Sequence, residues 1–152
     1  MKKTTLVCVM VSFFLFHSFA QERDMVELMR KDLQAEKVTL ITAAMQFNTQ
    51  ESAVFWPIYR NYEKSLSEIM DQRLALVQDY ANNFEKMSAE KATEIVNKSF
   101  ALESERTKLL KKYFKKFSKA MSPVRAARFV QVENQILKLL DVQVAQSLPL
   151  VY

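Results

Sequence analysis

The chain contains no glycine, and that absence constrains its fold more than any motif does. Tight β-hairpin turns need residues that take positive φ without a steric penalty, and glycine does so most freely. A sheet that depends on such turns is hard to make from this composition. Glycine-rich phosphate loops and dinucleotide-binding turns are excluded for the same reason. The 152 residues provide for one domain, interrupted only by Pro57, Pro123 and Pro149. The composition points to an all-α fold.

Residues 1–20 read as a signal peptide and not as part of that fold. Lys2 and Lys3 give a positive start, Leu6 to Phe16 is apolar, and Ser18-Phe19-Ala20 supplies small residues for cleavage. The apolar run is too short to span a bilayer comfortably. Cleavage after Ala20 leaves residues 21–152 as a single all-α domain, exported to the periplasm. It also removes the one cysteine, Cys8, and the one histidine, His17. No disulfide is then available in an oxidising compartment, and apolar burial must hold the chain together. Loss of Lys2 and Lys3 leaves 20 basic residues against 17 acidic ones, a net charge of +3. Export argues against a nucleic-acid partner.

Four long helices follow from the apolar spacing. The first runs from Asp24 to about Met45, with Met25, Leu28, Met29, Leu33, Leu40, Ile41 and Ala44 on one stripe; Lys37 falls in phase with it, its stem packing and its ammonium reaching out. The second, from about Thr49 to Asn83, places Phe55, Tyr59, Tyr62, Leu66, Ile69 and Met70 on one face. Pro57 should bend it by removing the hydrogen bond to the Ala53 carbonyl, and Asn82 or Asn83 is the expected left-handed cap. The third runs from a Ser88 cap to about Ala120, its apolar face including Ile95, Phe100, Leu102, Tyr113 and Phe117. The fourth starts at a Ser122 cap with Pro123 in its first position, where a missing N–H is harmless, and continues to about Gln146. Short loops between long rods give antiparallel hairpins, and a homodimer would help to cover such broad apolar stripes. The tail from Ser147 to Tyr152 leaves the helix at Pro149 and is apolar enough to dock.

One device recurs at Phe47, Met87 and Met121: an apolar residue, a small polar cap, then a helix. In its fullest form, Phe47-Asn48-Thr49-Gln50-Glu51, the Asn48 side chain and Glu51 make a capping box. The aromatic block Phe55-Trp56-Pro57-Ile58-Tyr59 follows. This stretch resembles the LTxxQ-type helix start of the Spy/CpxP family of envelope proteins, and more closely those relatives whose motif reads L-T-x-x-E-A-x-x-F-W-P-x-Y. Phe47 stands for the leucine, Asn48 for the threonine, and Phe55, Trp56, Pro57 and Tyr59 match directly. Met121-Ser122-Pro123-Val124-Arg125 keeps the pattern, and Ala127 to Asn134 (with Glu133) and Leu148 to Val151 resemble the same relatives. The resemblance implies an exported all-α protein, commonly a cradle-shaped dimer. Some members are ATP-independent chaperones, others inhibit or inform envelope-stress signalling, and close relatives are described as sensors linked to extracytoplasmic-function sigma factors. A metal-sensing branch uses histidine ligands; residues 21–152 have none.

From Arg106 to Val132 there are nine basic residues and no acidic one. Lys108, Lys112, Lys115 and Lys119 fall on one helical face, with Lys111, Lys116, Arg125 and Arg128 nearby. Leu109, Leu110, Tyr113, Phe114 and Phe117 interleave with them. A positive face beside apolar side chains can attract and loosely hold anionic segments of an unfolded client. The same lysines also read as a solvated face that keeps the chain soluble, or as a surface for anionic lipid. Trp56 and its neighbours read as core. Glu133 is in phase with Phe129, Ile136 and Leu137; if buried it needs a partner, Arg60 or the Trp56 indole. Glu103 with Glu105 is no general acid/base pair, because residues two apart on a helix diverge. No nucleophile, metal set or cofactor motif is present, so an enzyme is not expected. The expected function is an ATP-independent, chaperone-like holding of unfolded or partner segments; the alternative is an envelope-stress sensor that binds a membrane sensor or anti-sigma factor.

Overall fold

A computed structural model describes residues 33–150; the expected signal peptide, the start of the first helix and Val151-Tyr152 lie outside them. The described residues are all-α: helical residues 33–45 (α1), Thr49–Asn83 (α2), Ala89–Ala120 (α3) and Pro123–Ser147 (α4), with one turn of 3₁₀ helix, Phe84–Lys86, after α2. No strand occurs among them. The chain divides into two compact units, Met1–Leu40 and Ile41–Tyr152. In the described part of the first, Lys37 is only 5 % exposed, so more than its stem is covered.

All three anticipated caps form. The Asn48 side chain accepts from the Glu51 N–H at 2.8 Å, and Glu51 Oε2 accepts from the Asn48 N–H at 3.2 Å. Ser88 Oγ accepts from the Lys91 N–H at 3.1 Å, and Ser122 Oγ from the Arg125 N–H at 3.2 Å. Each satisfies a backbone donor that the helix cannot, which stabilises a helix start by about 1 kcal/mol. Because these bonds span three residues, the sequence encodes them locally.

Where helices end, the structure departs from expectation. Neither Asn82 nor Asn83 takes the left-handed cap; Asn83 has φ −119° and the chain tightens into the 3₁₀ turn. The one positive-φ residue among those described is Gln46, at φ 49°, and it ends α1 with its N–H on the Thr42 carbonyl at 3.1 Å. Without glycine, the sharpest reversal is made by a residue with a Cβ, at a cost of about 1–2 kcal/mol. As expected, α2 runs continuously through Pro57, from Thr49 to Asn83. Pro57 and Ala53 are both exposed, so the Ala53 carbonyl that loses its intrahelical donor faces water.

α2 packs on α3, and α3 on α4, as the short connections require. The core that joins them is aromatic. Phe55 from α2, Phe117 from α3 and Phe129 from α4 are fully buried; their ring centroids lie 4.9 Å (Phe55–Phe117), 5.2 Å (Phe55–Phe129) and 4.6 Å (Phe117–Phe129) apart. Phe47 closes one end against Phe55 at 4.4 Å, and Ile41 and Met45 are buried in the same cluster. Towards the α2–α3 turn the packing loosens. Leu76 and Leu102 there line two cavities of about 330 and 250 Å³. Phe100, expected on the apolar face of α3, is 69 % exposed, and Val144 of α4 is 37 % exposed. α3 packs through Ile95, Leu102, Tyr113 and Phe117, and Phe100 lies well round the helix from them. In the tail, the Tyr80 hydroxyl donates to the Pro149 carbonyl, while Leu150 is 78 % exposed.

Gln46→Gly should raise stability by about 0.5–1 kcal/mol, the relieved left-handed strain less the added freedom of the unfolded chain. Thermal unfolding followed by circular dichroism checks this; a lowered midpoint would contradict the strained cap.

Candidate binding face

At about 100° per residue, the six lysines of α3 occupy an arc of about 140° on its outer side. Lys108, Lys111, Lys112, Lys115, Lys116 and Lys119 are all exposed. The apolar residues between them point the other way: Tyr113 and Phe117 are buried, and Leu109, Leu110 and Phe114 pack against the core while partly exposed. The mixed basic and apolar face expected from the interleaved sequence is therefore divided by the helix. Its apolar half builds the core, and solvent meets lysine.

Among the described residues none of the six lysines is ion-paired: Glu105, exposed on the same side of α3 three residues before Lys108, makes no ion pair either, and the other nearby carboxylates are engaged elsewhere. Asp141 is held by Arg73 at 2.7 Å and Arg106 at 2.8 Å, and Glu103 also binds Arg106 at 2.8 Å. Burial acts to raise the Asp141 carboxyl, but the Arg106 hydrogen bond and the charges of Arg73 and Arg106 outweigh it and hold it below the usual carboxylate range. Glu94 is taken by Lys91 and Lys98, and Asp79 by Lys91. Two of the lysines have a packing role as well: the Lys116 ammonium lies 4.5 Å and that of Lys112 5.8 Å from the centre of the Tyr113 ring. Their stems shield a tyrosine that is only 4 % exposed. Lys108, Lys111, Lys115 and Lys119 have no such contact.

The two arginines grouped with them are spent inside the fold. Arg125 Nε meets Glu51 Oε1 at 2.7 Å, and its Nη2 donates to Glu51 Oε2 at 2.9 Å and to the Met45 carbonyl at 2.7 Å. Arg128 Nε donates to the Ala44 carbonyl at 2.9 Å. Both satisfy carbonyls at the C-terminal end of α1, which the helix leaves without donors. Arg125 thereby links the Glu51 capping box of α2 to the first turn of α4, and Arg128, though exposed, is positioned by the same corner.

Glu133 is completely buried, as its phase in α4 indicates, but neither expected partner reaches it. Arg60 is exposed, and the indole N–H of Trp56 donates one turn back to Ser52 Oγ at 3.1 Å. One donor to it is the Tyr62 hydroxyl, 2.8 Å from Glu133 Oε1, seventy-one residues away along the chain. Trp56 is half-buried, its ring set edge-on to Phe55 at 5.0 Å; Asn134 is half-buried too. Burial, then the charge of Glu133, pushes the Tyr62 phenol far above its ordinary range. Burial and then Glu63 do the same for Tyr59. Among the described residues no three His, Cys, Asp or Glu side chains stand together in a group that could hold a metal ion, and no helix is long and apolar enough to cross a membrane. No protein-family model, curated protein or solved structure matches the chain.

Phenols with raised values favour folding below their unfolded value of about 10 and lose that contribution as the pH rises above it. In an alkaline absorbance titration, Tyr59 and Tyr62 should ionise only as helicity is lost, and ordinary ionisation with the helices intact would contradict their burial. Tyr62→Phe, which removes the hydroxyl donor to a buried carboxylate, should cost about 1.5–3 kcal/mol in denaturant unfolding.

Proposed function

We propose that this chain is an exported, ATP-independent binding protein of the Spy/CpxP type, which holds anionic stretches of unfolded or partner polypeptides on the outer face of α3. The observation that carries this reading is the set of six exposed lysines, none ion-paired among the described residues, on one side of a helix whose other side is locked into an aromatic core. Such a face, six lysines against the single carboxylate of Glu105, concentrates positive potential, so it accelerates encounter with anionic segments and is weakened by salt. The motif resemblance around Phe47, Asn48 and Phe55-Trp56-Pro57-Ile58-Tyr59 supports the same class. Arg125 and Arg128 contribute to positive potential, but their principal work is at the α1–α4 corner.

Aggregation suppression tests the proposal, with purified residues 21–152 and two unrelated unfolded proteins at low and high salt. Suppression of both clients, relieved by salt and reduced in Lys111→Glu/Lys115→Glu, is the expected result. That pair is preferable to one containing Lys112 or Lys116, whose loss would also uncover Tyr113. Suppression unaffected by the double substitution would remove the lysine face from the mechanism. No suppression, with capture of a single envelope-membrane protein, would favour the sensor reading.

A further inference from the structure

The outer side of α3 does not end at its lysines. Setting Val96 at zero and advancing about 100° per residue, Val96, Phe100, Ser104, Thr107, Lys111 and Lys115 all fall within about 100° of one another. Between residues 96 and 119 no acidic residue falls in this sector. Phe100 is 69 % exposed and Val96, one turn before it, 49 %. A single exposed apolar side chain on a protein surface is ordinary. Here an aromatic and a β-branched residue share a stripe with unpaired lysines, separated from them only by small uncharged side chains.

We propose, resting on the binding function argued above, that this stripe is a bipartite recognition surface, with Phe100 and Val96 as an apolar anchor and the lysines as an anion-binding track. The partner it fits is an extended polypeptide segment carrying an apolar side chain and a separate run of acidic residues. Phe100 lies about 16 Å from Lys111 and about 23 Å from Lys115 along the helix axis. An extended chain covers that distance in about five to seven residues, which sets the spacing between the partner's apolar residue and its acidic run. The charge complementarity is one-sided within the sector: Glu103, just outside it, is bound to Arg106 and Glu94 to Lys91 and Lys98. Glu105, unpaired among the described residues, falls about 80° beyond the sector's edge, on the far side of its lysines. Phe100 then determines which anionic segments are retained, while the lysines determine how fast they arrive.

The test uses two fluorescent twelve-residue peptides with the same three consecutive acidic residues, one carrying phenylalanine six positions before the acidic run and the other serine there. Anisotropy titrations with residues 21–152 should give about five- to tenfold tighter binding of the phenylalanine peptide, the gain expected from partly burying one aromatic side chain. Phe100→Ser, at an exposed position whose loss leaves the core intact, should abolish that preference without changing the affinity for the serine peptide. Lys111→Glu/Lys115→Glu should weaken both. Equal binding of the two peptides to the native protein, or a preference that survives Phe100→Ser, overturns the anchor and leaves the electrostatic reading standing. Failure of both peptides to bind overturns the electrostatic reading together with the anchor. Vesicles of phosphatidylglycerol and phosphatidylcholine form the remaining arm: binding lost in Phe100→Ser, with no peptide preference, would assign the anchor to a lipid surface and overturn the peptide proposal.

Discussion

The interlocked rings of Phe55, Phe117 and Phe129 hold the second unit together. One ring comes from each of three helices, and each is fully buried. A fully buried phenylalanine contributes about 1.5–3 kcal/mol of apolar transfer, and close aromatic pairs about 0.5–1.5 kcal/mol more. With no cysteine or histidine among the described residues, no disulfide or histidine–metal bond supplements that cluster there. The caps at Asn48, Ser88 and Ser122 start the helices, but the rings decide which faces of those helices meet. The looser packing around Leu76 and Leu102 follows from the same fact, because the core reaches that end with aliphatic side chains that remain slightly exposed.

This core also fixes the polarity of α3. Tyr113 and Phe117 can be buried only if Lys115 and Lys116 between them turn outward, while Phe114 packs at the edge of the core. The exposed basic face is thus a geometric counterpart of the aromatic core. Its shortage of counter-ions, with Glu105 the one carboxylate on that side, has a second cause, the commitment of the other nearby carboxylates to other pairs. Asp141 gathers Arg73 and Arg106, Glu51 takes Arg125, and Glu94 and Asp79 take Lys91. The basic excess between Arg106 and Val132 is sorted by the fold into arginines held in ion pairs or on carbonyls and an outward track of lysines.

Much of the architecture was legible because it is local. A cap is a bond between residues three apart, so Asn48 with Glu51 and Ser122 with the Arg125 N–H could be read from spacing, as could the bounds of α2 and α3. Periodicity likewise placed Glu133 in the core. Apolar character is no guide at Phe100, which at about 100° per residue lies well round α3 from Leu102 and Tyr113, on a side that the neighbouring helices do not cover. Intrinsic preference failed at the C-terminal end of α2, where neither Asn82 nor Asn83 takes the left-handed cap, since in a chain without glycine the choice of left-handed residue depends on where the turn must close. Asparagine is the better intrinsic choice, but the reversal occurs at Gln46, between Met45 and Phe47, both of which the core holds.

The sequence by itself determined that this chain is helical, where its helices begin, and that one stretch of α3 carries unopposed positive charge. Absent glycine, three local caps and 3.6-residue periodicity are properties of neighbouring residues, and no tertiary contact is needed to state them. Only the tertiary structure decided that the Tyr62 hydroxyl reaches Glu133, that Arg125 and Arg128 close the end of α1, and that Phe100 stands exposed in line with the lysines. The first two arise from residues 71 to 84 positions apart in the chain, and the third from which sectors of α3 its neighbours leave uncovered. All three depend on how the helices are set against one another, which side-chain packing fixes and periodicity does not.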